Sequence, residues 1–186
     1  MIRFIKKIYY FFFSKNKDFA RFLVEVLGFL PSNISLYNTV FRHKSHFPGP
    51  NENNERLELL GDSIYTSIIT EILFKKYPLK SEGFLTEMRS KLVSRRQLNI
   101  IGEELNLVKN LSYNQKSTNN LPHDMAGNTF EALVGAIYLA EGYGHAKRFV
   151  HKEIIHKLLD IENLESTDFD FKSKLFILSQ KENKIT

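Results

Sequence analysis

An all-helical domain is what the periodicity of this chain predicts. Apolar residues recur at about 3.6-residue spacing in segment after segment, no stretch alternates like a strand, and only five prolines and nine glycines punctuate 186 residues. That length suits one domain of ordinary size, and 16 Phe and 8 Tyr supply bulk for its core.

The elements follow in order. Ile8 to Phe13 is a short aromatic run flanked by Lys6, Lys7, Lys15 and Lys17. It falls short of the roughly 7–15 apolar residues of a signal peptide and the roughly 20 of a membrane span. Residues 1–17 are therefore expected to form an amphipathic helix docked by its aromatic face, with a membrane-surface anchor as the alternative, and the chain to be cytoplasmic. Phe19, Phe22, Leu23, Val26 and Leu27 mark a helical stripe that Gly28 closes. Ser32 is expected to cap a second helix running to about His43. A polar loop with Pro48-Gly49-Pro50 leads into a long helix, Asn54 to Tyr77, stopped by Pro78, with Leu57, Leu60, Ile64, Ile68, Ile72 and Leu73 on its buried face.

Glu82 to about Leu105 reads as one further helix, on which Arg89, Lys91, Arg95 and Arg96 form either a solvated surface or phosphate contacts. Residues 112–123 form a loop, Asp124 stands as an N-cap, and the next helix reaches Leu139 and closes near Gly142. A last core helix spans roughly Ala146 to Leu159.

The absence of cysteine excludes disulfides, thiolate metal sites and cysteine nucleophiles, so any metal must sit on oxygen or imidazole. Lys plus Arg number 26 against 21 Asp plus Glu, a net charge of +5 that favours polyanionic partners. No Gly-rich phosphate loop is present.

The residues that suggest chemistry are acids at helical spacing. Glu58 and Asp62 lie four apart in the long helix, with Glu55 one turn earlier; Asn128 and Glu131 lie three apart in a strongly apolar one. Carboxylates beside a core-facing stripe need a counter-charge, and a hard divalent cation would supply it. Gly61 and Gly127, each immediately before one of these groups, cost a helix about 1 kcal/mol against alanine. Their expected purpose is to let the two helices cross closely. Ordinary surface charges and a turn-capping Asn128 would produce the same spacing.

The string Asn54-Glu55-Arg56-Leu57-Glu58-Leu59-Leu60-Gly61-Asp62-Ser63 resembles the signature of the ribonuclease III family of double-stranded RNA endonucleases. Phe41-Arg42-His43-Lys44-Ser45, Glu82-Gly83-Phe84-Leu85-Thr86 with Met88-Arg89, and Asn128 through Leu139 are similar to further family segments in the family's order. Together they cover roughly residues 20 to 160. The resemblance implies a helical nuclease domain that works as a homodimer and cuts both strands of duplex RNA, as in ribosomal precursor processing. Mg2+ is the implied cofactor, with Mn2+ as substitute, and the ends left are 5′-phosphate and 3′-hydroxyl. It implies metal ligands Glu58, Asp62, Asn128 and Glu131, catalytic roles for Asp62 and Glu131, and supporting roles for Glu55 and Glu82.

Three positions depart from the family pattern. Asn128 stands where Asp is usual, so metal affinity is expected to fall without vanishing, with Asp124 one turn earlier as partial compensation. Leu59 replaces a Phe that docks into the partner subunit. Asp170 to Lys181 resembles the first helix of the family's double-stranded RNA-binding domain, so residues 161–186 are expected to be a linker and the start of an incomplete one, after a catalytic domain at 18–160. Asn128 and that C-terminal segment keep a second reading open, a catalytically silent scaffold that binds RNA or protein.

Overall fold

The helical expectation holds over the residues that the computed structural model describes, 17–114, 125–159 and 161. Among them the extended pairing is limited to an isolated parallel bridge between Arg42 and Ser112. The expected helix over residues 1–16, the Asp124 cap, most of the 112–123 loop and the segment beyond 161 lie outside the described residues.

Helix α1, Lys17–Leu27, buries Ala20, Leu23, Val26 and Leu27 and ends at Gly28, whose φ of 70° is left-handed. Helix α2, Ile34–Val40, is capped by Asn33 and not by Ser32: Asn33 Oδ1 accepts from the Leu36 N–H at 3.2 Å. Ser32 is engaged elsewhere, donating its N–H to the Glu141 carboxylate and its hydroxyl to the Ala140 carbonyl. The helix also stops at Val40, short of His43. There the chain turns to meet Ser112, whose N–H donates to the Phe41 carbonyl at 2.8 Å while its carbonyl accepts from the His43 N–H at 3.0 Å.

Helix α3, Glu55–Lys76, starts from a fixed frame of two buried asparagines. Asn53 Oδ1 accepts from the Glu55 N–H at 3.0 Å, and its amide donates to the carbonyls of Phe47 and Gly49. Asn54 donates its side-chain amide to the Val40 carbonyl at 3.1 Å. The buried face is Leu57, Gly61, Tyr65, Ile68, Ile69 and Leu73. Leu60, Ile64 and Ile72 are only half-buried, so the stripe is turned toward Gly61 and Tyr65 from where apolarity alone placed it.

The expected helix from Glu82 to Leu105 is two, α4 at Glu82–Leu92 and α5 at Arg95–Glu104. Ser94 breaks it: its backbone is extended, and its hydroxyl accepts from the Gln97 N–H and donates to the Lys91 carbonyl. After a 3-10 turn at Leu107–Asn110 comes α6, Met125–Glu141, the central helix, on which 11 residues are buried. Helix α7, Tyr143–Phe149, begins earlier than expected and runs into a π-helical segment, Val150–Ile155. None of the described helices is long and apolar enough to cross a membrane.

Helices α3 and α6 touch backbone to backbone. A Cβ on Gly61 would stand 1.7 Å from the Glu131 carbonyl oxygen and 2.9 Å from the Gly135 nitrogen, and one on Gly135 would stand 2.3 Å from the Leu57 carbonyl oxygen. The close crossing expected of Gly61 is present, but its partner is Gly135. Gly127 faces α5, where a Cβ would meet Asn99 Oδ1 at 2.7 Å and Leu98 Cβ at 3.1 Å. Beside the crossing, Tyr65 and Phe130 meet edge to face with ring centroids 5.1 Å apart.

Replacing Gly61 by Ala is expected to cost at least about 2 kcal/mol despite alanine's better helix propensity, because the obstacle is backbone that cannot rotate away. Gly83→Ala, where only Ser81 Oγ comes within 4.0 Å, is expected to be neutral or slightly stabilising. Chemical denaturation of the two variants checks this; equal stabilities would contradict the crossing.

Candidate functional site

The crossing sets the relative register of the two acidic segments. One turn from Gly61, α3 presents Glu58 and, next to the glycine, Asp62; α6 presents Asn128 and Glu131. All four line a single cavity of about 380 Å3, together with Arg95 and Asn99 from α5. Glu58, Asn128 and Glu131 are half-buried and Asp62 is exposed, so the acids form the wall of an open depression and not a sealed chamber.

Glu55 also reaches this wall, but its carboxylate is held by Lys44, with Nζ 2.6 Å from Oε1. The His43-Lys44-Ser45 turn delivers that lysine: His43 Nδ1 and Ser45 Oγ lie 2.8 Å apart, and Ser45 Oγ accepts from the Asn114 N–H at 3.0 Å. Glu82 is not brought to the cavity lining. Its carboxylate accepts from the Thr86 hydroxyl, 2.7 Å away and one turn along α4.

Electrostatics mark the same place. Burial, with the neighbouring charges of Asp62 and Glu58, pushes the Glu131 carboxyl up to about 7, against a smaller opposing pull from Arg95. Burial and the Glu55 charge likewise raise Glu58, while Lys44 and Arg95 act the other way. A divalent cation relieves this kind of crowding, and the donors suit a hard one: three carboxylates and an amide oxygen. Among the described residues no three His, Asp or Glu side chains are already gathered as a ligand group. The fit therefore lies in donor chemistry and the shared cavity. Glu58, Asp62, Asn128 and Glu131 would hold the ion.

Of two further cavity residues, Asn99 had no place in the sequence expectation, and Arg95 was expected only on a solvated surface or in phosphate contacts, not beside these acids. Asn99 is buried, and its Oδ1 accepts from the Gly127 N–H at 2.9 Å, satisfying a first-turn donor of α6 directly before Asn128. Arg95 reaches the cavity because the chain restarts as a helix at that residue. The signal was present: Ser94-Arg95-Arg96-Gln97 has the spacing of a capping box.

Comparison with known proteins gives a consistent result. The ribonuclease-III-like family model matches residues 33–158. Ribonuclease 3 of Azobacteroides pseudotrichonymphae genomovar. CFP2 is 46% identical over 174 residues, covering 91% of this chain and 66% of that protein. Ribonuclease 3 of Bacteroides thetaiotaomicron is 40% identical over 173 residues, covering 91% of this chain and 55% of that one. The chain thus spans between 55% and 66% of the length of these two relatives. Among solved structures, the nuclease domain of ribonuclease III from Campylobacter jejuni superposes with a TM-score of 0.68 at 29% identity, covering 75% of this chain and 96% of that one. A second structure of that domain, with a TM-score of 0.67 at 29% identity over 74% of this chain and 96% of that one, concerns flexibility in a region involved in dimer formation.

The raised Glu131 makes a pH prediction. A carboxyl whose folded pKa is about 7, against 4.5 ordinarily, holds its proton more tightly when folded, so its contribution to stability falls as pH rises between those values. In chelator the melting temperature should decline from about pH 5 to about pH 7.5, and Glu131→Gln should flatten that decline. Mg2+ should raise the melting temperature more at the upper pH than at the lower. Identical pH profiles for the two proteins would contradict the assignment.

Proposed function

The chain belongs to the ribonuclease-III-like family, and from that premise we propose that it is a Mg2+-dependent endoribonuclease acting on double-stranded RNA. The observation that carries the reading is the convergence of Glu58 and Asp62 with Asn128 and Glu131 on one cavity from two helices. The reaction is hydrolysis of a phosphodiester: water oxygen bonds to phosphorus, the bond from phosphorus to the 3′ oxygen breaks, and that oxygen takes up a proton. The products are 5′-phosphate and 3′-hydroxyl ends.

When bound, Mg2+, or Mn2+ in its place, supplies Lewis acidity for the attacking water and charge to offset the departing oxygen. The chain contributes the cradle. Glu58 and Asn128 would hold the cation, and Asp62 and Glu131 would hold it and orient the attacking water. Glu55 plays a supporting part through its pairing with Lys44. Glu82, as the residues are placed, would support the site only indirectly, through α4.

The substrate and assembly follow from the same reading. We assign residues 18–160 to the nuclease domain and 161–186 to a linker and the start of a double-stranded RNA-binding domain, in a cytoplasmic protein that processes structured RNA such as ribosomal precursors. A homodimer would present two cavities to the two strands. Its support here is an apolar groove of about 660 Å3 next to the acidic site, where Leu59 is 73% and Leu139 55% exposed beside Leu36 and Leu60. Leucine at 59 keeps that surface apolar although it is smaller than phenylalanine.

One observation favours the second reading, a silent RNA-binding scaffold: Asn128 removes a negative charge from the ligand set. A single assay divides the two. With labelled duplex RNA and Mg2+ or Mn2+, the protein should cut, and Glu131→Ala should lower the rate by at least about 100-fold. Binding without scission would support the scaffold. Leu59→Asp should shift the protein from dimer to monomer in sedimentation at roughly ten micromolar; a wild-type monomer at that concentration would remove the dimer.

A further inference from the structure

Away from the acidic cavity, a pair of side chains is brought together by an uncommon piece of backbone. The chain leaves α7 as the π-helical segment Val150–Ile155, and the His156 N–H donates to the His151 carbonyl, five residues earlier, at 3.1 Å. In an α-helix, residues five apart point about 140° away from each other around the axis. The i to i+5 bond of a π turn instead stacks residue 156 over residue 151. The two imidazoles accordingly meet, with ring centroids 4.8 Å apart and planes at 63°. Both residues are exposed.

The core side of the segment holds this register. Val150, Glu153 and Ile154 are buried, and the Glu153 carboxylate fills the space beside Gly28, where a Cβ would stand 2.7 Å from Glu153 Oε1. Glu153 also engages the lysines that follow each histidine in sequence: Lys157 pairs with it, and Lys152 Nζ lies 3.6 Å from its Oε1. The imidazoles are left at the surface, next to cations that a carboxylate already holds.

Their separation is the one a shared metal ion requires. Two imidazoles bonded through nitrogen to one ion at about 2.1 Å have ring centres roughly 4.5–5.3 Å apart for bond angles between about 90° and 109°. With four residues between them, His151 and His156 also fall within the H-x3–5-H spacing of zinc-binding sequences. The donors select the metal as well. Neutral imidazoles suit Zn2+, Ni2+ or Cu2+, whereas Mg2+ is held by oxygen. We propose that His151 and His156 form a surface site for a borderline divalent transition metal, chelated across the π turn. The rings fill two coordination positions and leave the others to water or a further ligand, and the ion in turn fastens the π register. This site shares no residue with the acidic cavity and goes beyond the nuclease reading.

The test titrates the whole chain with Ni2+ in excess Mg2+, which keeps the acidic cavity occupied. Wild type should bind one Ni2+ by calorimetry, and paramagnetic broadening should reach the His151 and His156 ring signals before that of the half-buried His145. His151→Ala and His156→Ala should each bind at least about tenfold more weakly, because a single imidazole gives no chelate. Ni2+ should also raise the melting temperature of wild type more than that of His156→Ala. His145→Ala and Glu131→Gln, which alter other places, should keep the affinity within about twofold. Equal Ni2+ affinity in wild type and His156→Ala would overturn the site, as would loss of binding in Glu131→Gln with retention in His156→Ala, which would put the ion in the acidic cavity. The nuclease reading stands or falls separately, on the cutting of duplex RNA.

Discussion

The backbone contact between α3 and α6 is the constraint on which the rest of this molecule depends. Side chains normally hold helix axes about 8–10 Å apart. Gly61 and Gly135 remove the side chains at the point of contact, so that the carbonyls of Glu131 and Leu57 occupy the space that two Cβ atoms would need. Such a contact tolerates almost no sliding. Because Glu131 is the residue whose carbonyl sits on Gly61, its side chain is fixed relative to Asp62, the next residue along α3. Packing and chemistry share one register, and the helix-propensity cost of two interior glycines is offset by that coincidence.

The site is the part of the structure least explained by stability. Glu131 and Glu58 are raised by burial and by like charges, which means that as ionised groups they weaken the fold that holds them. Elsewhere the chain pairs its acids conventionally: Glu71 meets both Lys75 and Lys147, and buried Glu153 meets Lys152 and Lys157. The contrast separates acids paired with lysines from acids raised by burial and by one another. Asn99 belongs to the same economy of placement, since it satisfies the start of α6 from a neighbouring helix and so fixes the turn that carries Asn128.

How far the sequence could be read depended on whether the signal was local. The long helix, its stop at Pro78 and the facing of Glu58 with Asp62 follow from spacing along one element, and they stand as expected. The role of Gly61 was legible because glycine inside a helix is anomalous, but its true partner, Gly135, lies in a run so apolar that one more small residue carried no signal. Glycine 127 was assigned to the wrong neighbour for the same reason: a sequence shows that a close approach is needed without showing to what. Ser32 and Asn33 are both good caps, and the choice between them was made by Glu141, more than 100 residues away. The unbroken helix expected from Glu82 to Leu105 missed a capping box, and with it the break that brings Arg95 to the acidic cavity.

That break alters how the missing acid at position 128 should be understood. If Asn128 were a lesion in an otherwise complete acidic site, the remaining wall would be expected to conserve every other negative charge and admit no positive one. Instead the wall includes Arg95, and Glu55 is tied to Lys44. Both features reduce negative charge further, in the same direction as Asn128. Three independent positions, on α6, on α5 and in the turn before α3, therefore agree on a less acidic depression while Glu58, Asp62 and Glu131 stay in place. Here the three acids still line one cavity with Asn128 and Arg95, so on the proposed nuclease reading the cation would meet a wall of lower charge.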